Sequence, residues 1–124
     1  MPSRRVLVVD DDAETRNGIR DLLIEQGFSV ECATDGAEAL ALLRGRPKVS
    51  LIFLDLTMPG MNGWEFRRAQ LSDPDLASIP LVLTTGHAEY GDSMVSLRPD
   101  GHLQKPIKPG ELLGVLDRFS EKIG

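Results

Sequence analysis

Apolar residues along the chain follow two alternating patterns, one of short unbroken runs and one with helical spacing. The runs over 6–9, 49–54 and 79–83 are rich in Val, Ile and Leu and lack a regular polar alternation, which is typical of strands buried on both faces of a parallel sheet. Two weaker strands are predicted at 29–33 and 102–104. The chain is therefore expected to contain five strands.

Helical spacing fills the intervals between these strands. Asp12 is the predicted N-cap of a first helix that ends at Gly27, and Asp35 with Glu38 has the spacing of a capping box for a second helix. Pro109 suits the first turn of the last helix. The residues expected on the inner faces are Ile19, Leu22, Leu23 and Gln26 in the first helix, Ala39, Leu40 and Leu43 in the second, and Leu112, Leu116, Phe119 and Ile123 in the last.

Five strands that alternate with helices need crossover connections, which favour a parallel sheet covered by helices on both faces. We therefore predict an α/β fold, with residues 1–124 forming one domain and no effector domain appended. In open sheets of this kind, ligands bind at the carboxyl ends of the strands. Candidate functional residues are expected just after each strand.

Composition narrows the function classes. The 124 residues carry a formal net charge of −5, with 14 basic and 19 acidic side chains, which argues against a surface that binds nucleic acid. A membrane-spanning helix needs about 20 consecutive apolar residues, and no run in the sequence approaches that length. We therefore expect a cytoplasmic protein with no membrane contact. Cys32 is the sole cysteine, which excludes an internal disulfide.

Polar residues that could bind a ligand or take part in catalysis follow four of the predicted strands. They are Asp10 and Asp11, then Asp55, then Thr85, then Lys105. Carboxylates gathered at one edge repel one another unless a cation lies between them. Mg²⁺ fits best, because it prefers oxygen ligands and is commonly held by carboxylates together with a phosphate oxygen. Asp55 is the predicted nucleophile for phosphorus, and the lysine and threonine suit phosphoryl oxygens.

With these motifs the sequence resembles the receiver domains of bacterial response regulators over essentially its whole length. The motifs are the run 6–12 ending in three aspartates, the run 54–63 with Met-Pro-Gly after Asp55, Ile79-Pro80 followed by Thr85-Gly86, and Lys105-Pro106. The resemblance implies a flavodoxin-like, doubly wound sheet of strand order 2-1-3-4-5, the order for which a receiver protein is a standard example.

The resemblance also implies roles for individual residues around a magnesium ion. Asp55 would be the phosphoacceptor, and Asp11 and Asp55 would bind Mg²⁺ directly. Asp10 would bind it through water, and the backbone carbonyl of Thr57 would complete the protein's ligands.

Three further residues acquire roles through the same resemblance. Thr85 and Lys105 would bind the phosphoryl group, and His102 would occupy the aromatic switch position three residues before the lysine. The Lys105–Pro106 peptide bond would be cis. Thr84 competes with Thr85 for the hydroxyl role, but the thirty-residue step from Asp55 favours Thr85.

The function implied is phosphoacceptor signalling. A sensor histidine kinase or a histidine phosphotransfer protein would donate the phosphoryl group, and a downstream protein would receive the signal by contact or by phosphorelay. The chain would be a monomer or weak homodimer, and would catalyse only its own phosphorylation and dephosphorylation.

Three other functions fit parts of the sequence pattern. A phosphorylation-independent binding module with the same fold remains the main alternative. A phosphatase of the haloacid dehalogenase type needs an aspartate two residues after its nucleophile, where this chain has Thr57. A nucleotide carrier needs a hydroxyl- and glycine-rich phosphate loop after the first strand, where this chain has carboxylates.

One segment departs from the family pattern. Lys105 follows Thr85 by 20 residues, about two fewer than is usual in the family, and Gly91, Pro99 and Gly101 lie between them. A helix there, predicted at 92–97, must be short or irregular. The departure affects the choice of partner and leaves the residues of the acidic site intact.

Overall fold

The computed structural model describes residues 4–45, 48–55, 63–86 and 97–119. The strands in these ranges are β1 (Arg5–Val9), β2 (Ser29–Ala33), β3 (Val49–Asp55), β4 (Leu81–Thr85) and β5 (Gly101–Gln104). The helices are α1 (Ala13–Glu25), α2 (Gly36–Leu43), α3 (Gly63–Ser72) and α4 (Pro109–Arg118). None of these helices is long and apolar enough to cross a membrane.

The strands form one parallel sheet in the order β2-β1-β3-β4-β5. This confirms the predicted α/β class and the strand order that the family resemblance implied. The fourth strand begins at Leu81, two residues later than predicted. The N–H of Ile79 donates to the Leu76 carbonyl in the preceding turn, and Pro80 has no N–H to donate to a neighbouring strand.

Helices cover both faces of the sheet, and each face has its own apolar core. One core packs α2 and α3 against the sheet and includes Leu7, Ile52, Leu83 and Phe66. The other packs α1 and α4 against the opposite face and includes Val8, Phe53 and Leu112 among others. Alternate residues of β1 and β3 enter opposite cores, which explains why both strands are largely apolar.

The predicted helix ends are confirmed where they can be compared. The Asp12 carboxylate accepts the Thr15 N–H and caps α1. Gly27 ends that helix at φ +92°, a conformation that suits glycine. Its N–H donates to the Ile24 carbonyl and the Phe28 N–H donates to the Leu23 carbonyl, a Schellman motif. Gln26 was predicted on the inner face, but it is exposed as the C-cap.

The capping box predicted for α2 forms with a small change of hydrogen-bond partner. Asp35 accepts the Glu38 N–H at 2.8 Å, while the Glu38 carboxylate accepts the N–H of Thr34 at 2.7 Å. The capping carboxylate therefore reaches one residue further back than the usual box. The helix predicted at 92–97 lies outside the described residues except for Leu97, which is helical and buried.

Candidate functional site

The carboxyl edge of the sheet brings together side chains from three different strands. Asp10 follows β1 directly, Asp55 is the last residue of β3, and Lys105 follows β5. The Lys105 Nζ lies 3.2 Å from Asp10 Oδ2 and 3.3 Å from Asp55 Oδ1. The expected convergence of the two buried carboxylates and the lysine is therefore present.

Asp11 joins these carboxylates to form an acidic cluster. One carboxylate oxygen from each of Asp10, Asp11 and Asp55 lies within 4.8 Å of the other two. Asp10 and Asp55 are only 1% and 4% exposed, whereas Asp11 is exposed. At this separation two such charges repel by about 3 kcal/mol at an effective dielectric constant of about 20. A single lysine does not neutralise three carboxylates.

One buried oxygen of the cluster has a charged neighbour but, among the described residues, no hydrogen bond. In the described ranges, Asp10 Oδ2 is a buried side-chain atom without a hydrogen bond. Its charged neighbour is the Lys105 ammonium, whose Nζ lies 3.2 Å away as an ion pair. Buried carboxylate oxygens normally have a directed partner, and a hard cation with oxygen ligands supplies one. Asp10, Asp11 and Asp55 are thus a suitable donor set for Mg²⁺.

Lys105 remains charged although the fold removes much of it from water. Burial lowers the pKa of its ammonium, but the carboxylates of Asp55 and Asp10 raise it by more, so the net pKa lies above its ordinary value. The side chain is still 25% exposed. Lys105 is therefore a cation that remains accessible from solvent beside Asp55.

Residues 10–12 form an acidic loop that hydrogen bonds hold at both ends. The Asp10 N–H donates to the Ala33 carbonyl at 3.0 Å, and Asp10 Oδ1 accepts the Asp12 N–H at 2.9 Å. Asp12 caps α1, and hydrogen bonds from the Thr15 hydroxyl and N–H lower its pKa. The predicted division of the aspartate triplet therefore holds for Asp12, which serves the helix.

Arg16 is a residue near the site that the sequence reasoning missed. Its Nη1 donates to the Asp10 backbone carbonyl at 2.9 Å, so a side chain of α1 holds the backbone of the acidic loop. The available signal was an arginine one turn into the helix that follows three aspartates. That signal is weak, because an arginine at such a position is usually solvated.

Two predicted phosphoryl-binding residues lie on described strands. Thr85 ends β4, although its side chain falls outside the described part. Thr84, its competitor for the hydroxyl role, is 1% exposed and pairs in register with Asp55. His102 is half-buried on β5, opposite Leu83.

Two expectations from the loops have different outcomes. The Lys105–Pro106 peptide bond is cis, as the resemblance implied. Thr57, whose carbonyl was predicted to bind the metal, lies outside the described residues.

A groove of about 820 Å³ opens next to the site, between α1 and the chain from Lys105 to Pro109. Its apolar lining includes Ile19, Leu22 and Leu112, and its acidic lining includes Glu14, Asp21 and Glu25. The groove is large enough to take side chains of another protein, and Lys105 lies at its border.

Comparisons with known proteins all indicate the same family. Residues 6–117 match the family model described as the response regulator receiver domain. The chain is 36% identical over 113 residues to the DNA-binding response regulator MtrA of Mycolicibacterium paratuberculosis, covering 89% of this chain and 48% of that protein. It is 35% identical over 117 residues to an uncharacterized 14.6 kDa protein of Leptolyngbya boryana, covering 92% of this chain and 88% of that protein.

Solved structures agree with the fold. The chain matches the receiver domain of AraT from Geobacillus stearothermophilus with a TM-score of 0.83 and 34% identity, over 98% of this chain and 95% of that one. It matches the chemotaxis response regulator CheY4 of Vibrio cholerae with a TM-score of 0.82 and 31% identity, over 94% and 98% of the two chains. The chain spans about half the length of the MtrA proteins, so their DNA-binding function belongs to a longer protein, and the predicted lack of a nucleic-acid partner is not confirmed.

Proposed function

Because the chain belongs to the response-regulator receiver family, we propose that it accepts a phosphoryl group on Asp55 in a Mg²⁺-dependent reaction and signals through the resulting change. A sensor histidine kinase or a histidine phosphotransfer protein would be the donor. The observation that carries the proposal is the Asp55 carboxylate itself, which is buried beside two other carboxylates and within 3.3 Å of the Lys105 ammonium.

The reaction is a displacement at phosphorus. An Asp55 carboxylate oxygen attacks the phosphorus of a phosphohistidine, and the new oxygen–phosphorus bond gives an aspartyl phosphate. The bond from phosphorus to the imidazole nitrogen breaks, and that nitrogen keeps the electron pair and takes up a proton. The chain's own contribution is to hold Asp55 in place and to supply charge that offsets the charge of the transferring group.

Lys105 and Thr85 would receive the phosphoryl oxygens. The Lys105 ammonium already contacts the acceptor carboxylate, so a short movement of this long side chain would bring it to the phosphoryl group. Thr85 ends the strand next to Asp55 and would donate its hydroxyl. In this proposal His102, three residues before the lysine on β5, senses the change.

The metal would be held by Asp10, Asp11 and Asp55, together with the backbone carbonyl of Thr57. When bound, Mg²⁺ would neutralise charge on the phosphoryl oxygens and orient the group for in-line displacement. The Asp10 oxygen that lacks a hydrogen bond among the described residues and the three clustered carboxylates support this assignment. Asp12 takes no part, because its carboxylate is occupied by the cap of α1.

The phosphodonor would approach over the groove beside α1. The groove borders Lys105, and its lining combines apolar side chains with four carboxylates, those of Asp12, Glu14, Asp21 and Glu25. This chemistry fits a donor surface with apolar residues flanked by basic ones. The downstream target is proposed to be a protein, contacted in the cytoplasm by a monomer or weak homodimer.

Phosphoramidate with and without Mg²⁺ tests the proposal, read by intact-protein mass spectrometry. The wild type should gain one hydroxylamine-labile phosphate only with Mg²⁺, and Asp55→Asn should gain none. Asp35→Asn is the matched control, because asparagine is also a good N-cap and Asp35 does not belong to the acidic cluster. Unchanged incorporation in Asp55→Asn would contradict the proposal, and a folded wild type that accepts no phosphate would favour the phosphorylation-independent module.

A further inference from the structure

Arg16 binds the main chain of the acidic loop although carboxylates are close by. Its Nη1 donates to the Asp10 carbonyl at 2.9 Å, and the residue is half-buried. Across the described ranges no carboxylate lies within 4 Å of its guanidinium. Arg20, one turn further along α1, instead forms an ion pair with its neighbour Asp21. The two arginines therefore share a helix but differ in their partners.

The bond from Arg16 fixes the peptide unit between Asp10 and Asp11. This unit holds the Asp10 carbonyl and the Asp11 N–H in one plane and fixes the position of the Asp11 Cα, so it limits the directions that the Asp11 side chain can take. Asp10 has other restraints, namely its N–H bond to Ala33 and its Oδ1 bond from the Asp12 N–H.

Asp11 has no such restraint of its own. It is exposed, and within the described part of the chain no hydrogen bond or ion pair holds its carboxylate. The peptide unit before Asp11 is held by Arg16 and the unit after it by the Asp12 N–H bond to Asp10 Oδ1, so the backbone on both sides places the Asp11 carboxylate beside the other two.

We propose that Arg16 is a positioning residue for the cation site: it orients Asp11 toward Asp10 and Asp55 without forming an ion pair with any of the three carboxylates. The proposal rests on the proposed function, because it takes the acidic cluster to be a Mg²⁺ site. Residues that orient metal ligands in this way typically contribute 10–100-fold to metal affinity.

The sign of the effect separates positioning from simple electrostatics. A positive charge close to a cation site repels Mg²⁺, so removing the charge of Arg16 should strengthen binding if charge were its only influence. If Arg16 orients Asp11, removing it should weaken binding even though one repulsive charge is lost. The two roles thus predict opposite changes from one substitution.

Mg²⁺ titration of the unphosphorylated full chain, followed by amide chemical shifts, measures this affinity without any phosphodonor. Arg16→Gln should bind Mg²⁺ roughly tenfold more weakly than the wild type. Arg20→Gln removes the same charge one turn away and should leave the affinity unchanged or slightly higher. In the metal-free spectra, the Asp11 amide should shift in Arg16→Gln and stay in place in Arg20→Gln.

Each outcome decides the matter. Binding by Arg16→Gln that equals or exceeds the wild type would overturn the positioning role while leaving the proposed function intact. No Mg²⁺ binding by the wild type would overturn the proposed function and this inference together. If Arg16→Gln does not fold, Arg16→Met carries the same expectation and is overturned by the same result.

Discussion

Lys105 and Arg67 are both cations that the fold removes at least partly from water, and the fold shifts their pKa values in opposite directions. Lys105 contacts the carboxylates of Asp10 and Asp55, which raise its pKa beyond the opposing effect of burial. Arg67 is 4% exposed and donates mainly to neutral oxygens, and burial lowers its pKa despite partial compensation from Asp100. The partners, more than the depth of burial, distinguish the two sites.

Every donor group of Arg67 that can be assigned has a fixed acceptor. Its guanidinium donates to the carbonyls of Leu97 and Arg98 and to the Gln70 amide oxygen. The Gln70 amide nitrogen in turn donates to the carbonyls of Leu76 and Ile79. This network, which we call the Arg67 anchor, holds α3 against the chain just before β5.

The difference distinguishes a candidate ligand site from a structural one. Around Lys105, charge remains in excess and Asp10 Oδ2 still lacks a hydrogen bond, so another charged group can be accommodated. In the Arg67 anchor each of the three guanidinium nitrogens already donates to an oxygen of the protein. We expect the first region to respond to ligands and the second to determine stability.

The largest expected effect comes from breaking the anchor. Arg67→Met leaves the Gln70 oxygen and two backbone carbonyls without their donor, so the free energy of unfolding should fall by about 2–4 kcal/mol. Arg68→Met is the matched control, because Arg68 is the next residue on α3 and is exposed. Urea unfolding measures both variants, and equal losses in the two would show that the anchor does not stabilise the fold.

A smaller effect is expected from the ligand side of the comparison. Mg²⁺ at ten times its dissociation constant should stabilise the wild type by about 1.4 kcal/mol, because it binds only the folded site. Asp11→Ala should abolish this stabilisation. Asp12→Ala should retain it while lowering the stability of the metal-free protein through the lost cap. Thermal unfolding with and without Mg²⁺ tests the pair, and equal loss of the metal effect in both would contradict the division of the triplet.

The smallest effect concerns alkaline pH. The pKa of Lys105 is raised in the folded state, so its contribution to stability is complete below its ordinary pKa of 10.5 and declines as pH rises through the folded value. We expect this contribution to be under about 1 kcal/mol, because the ammonium is partly exposed. Lys105→Met should remove this part of the alkaline decline, whereas Lys108→Met, an exposed control, should leave it unchanged. An identical decline in wild type and Lys105→Met would refute the assignment.

The residues of the candidate site could be predicted because their signals are local. Asp10 and Asp55 follow or end strongly apolar strands, Lys105 follows the weaker β5, and parallel strands bring such ends to one edge. The caps at Asp12 and Asp35 were likewise readable from spacing within one turn.

The Arg67 anchor could not be predicted in this way. Arg67 and Gln70 lie in a polar stretch of α3 that is typical of a solvated helix face. Their burial depends on carbonyls at residues 97 and 98, thirty positions further along the chain. Arg16 escaped notice for the same reason, because its partner is a backbone carbonyl that no side-chain pattern reveals.

The most direct test of the central claim is to locate the phosphate chemically. Borohydride reduces an aspartyl phosphate to homoserine, and peptide mass spectrometry identifies the converted residue. Wild-type protein treated with phosphoramidate and Mg²⁺ should carry homoserine at position 55, with none when Mg²⁺ is withheld. Conversion at another aspartate, or equal conversion without Mg²⁺, would contradict Asp55 as the acceptor of a magnesium-dependent site.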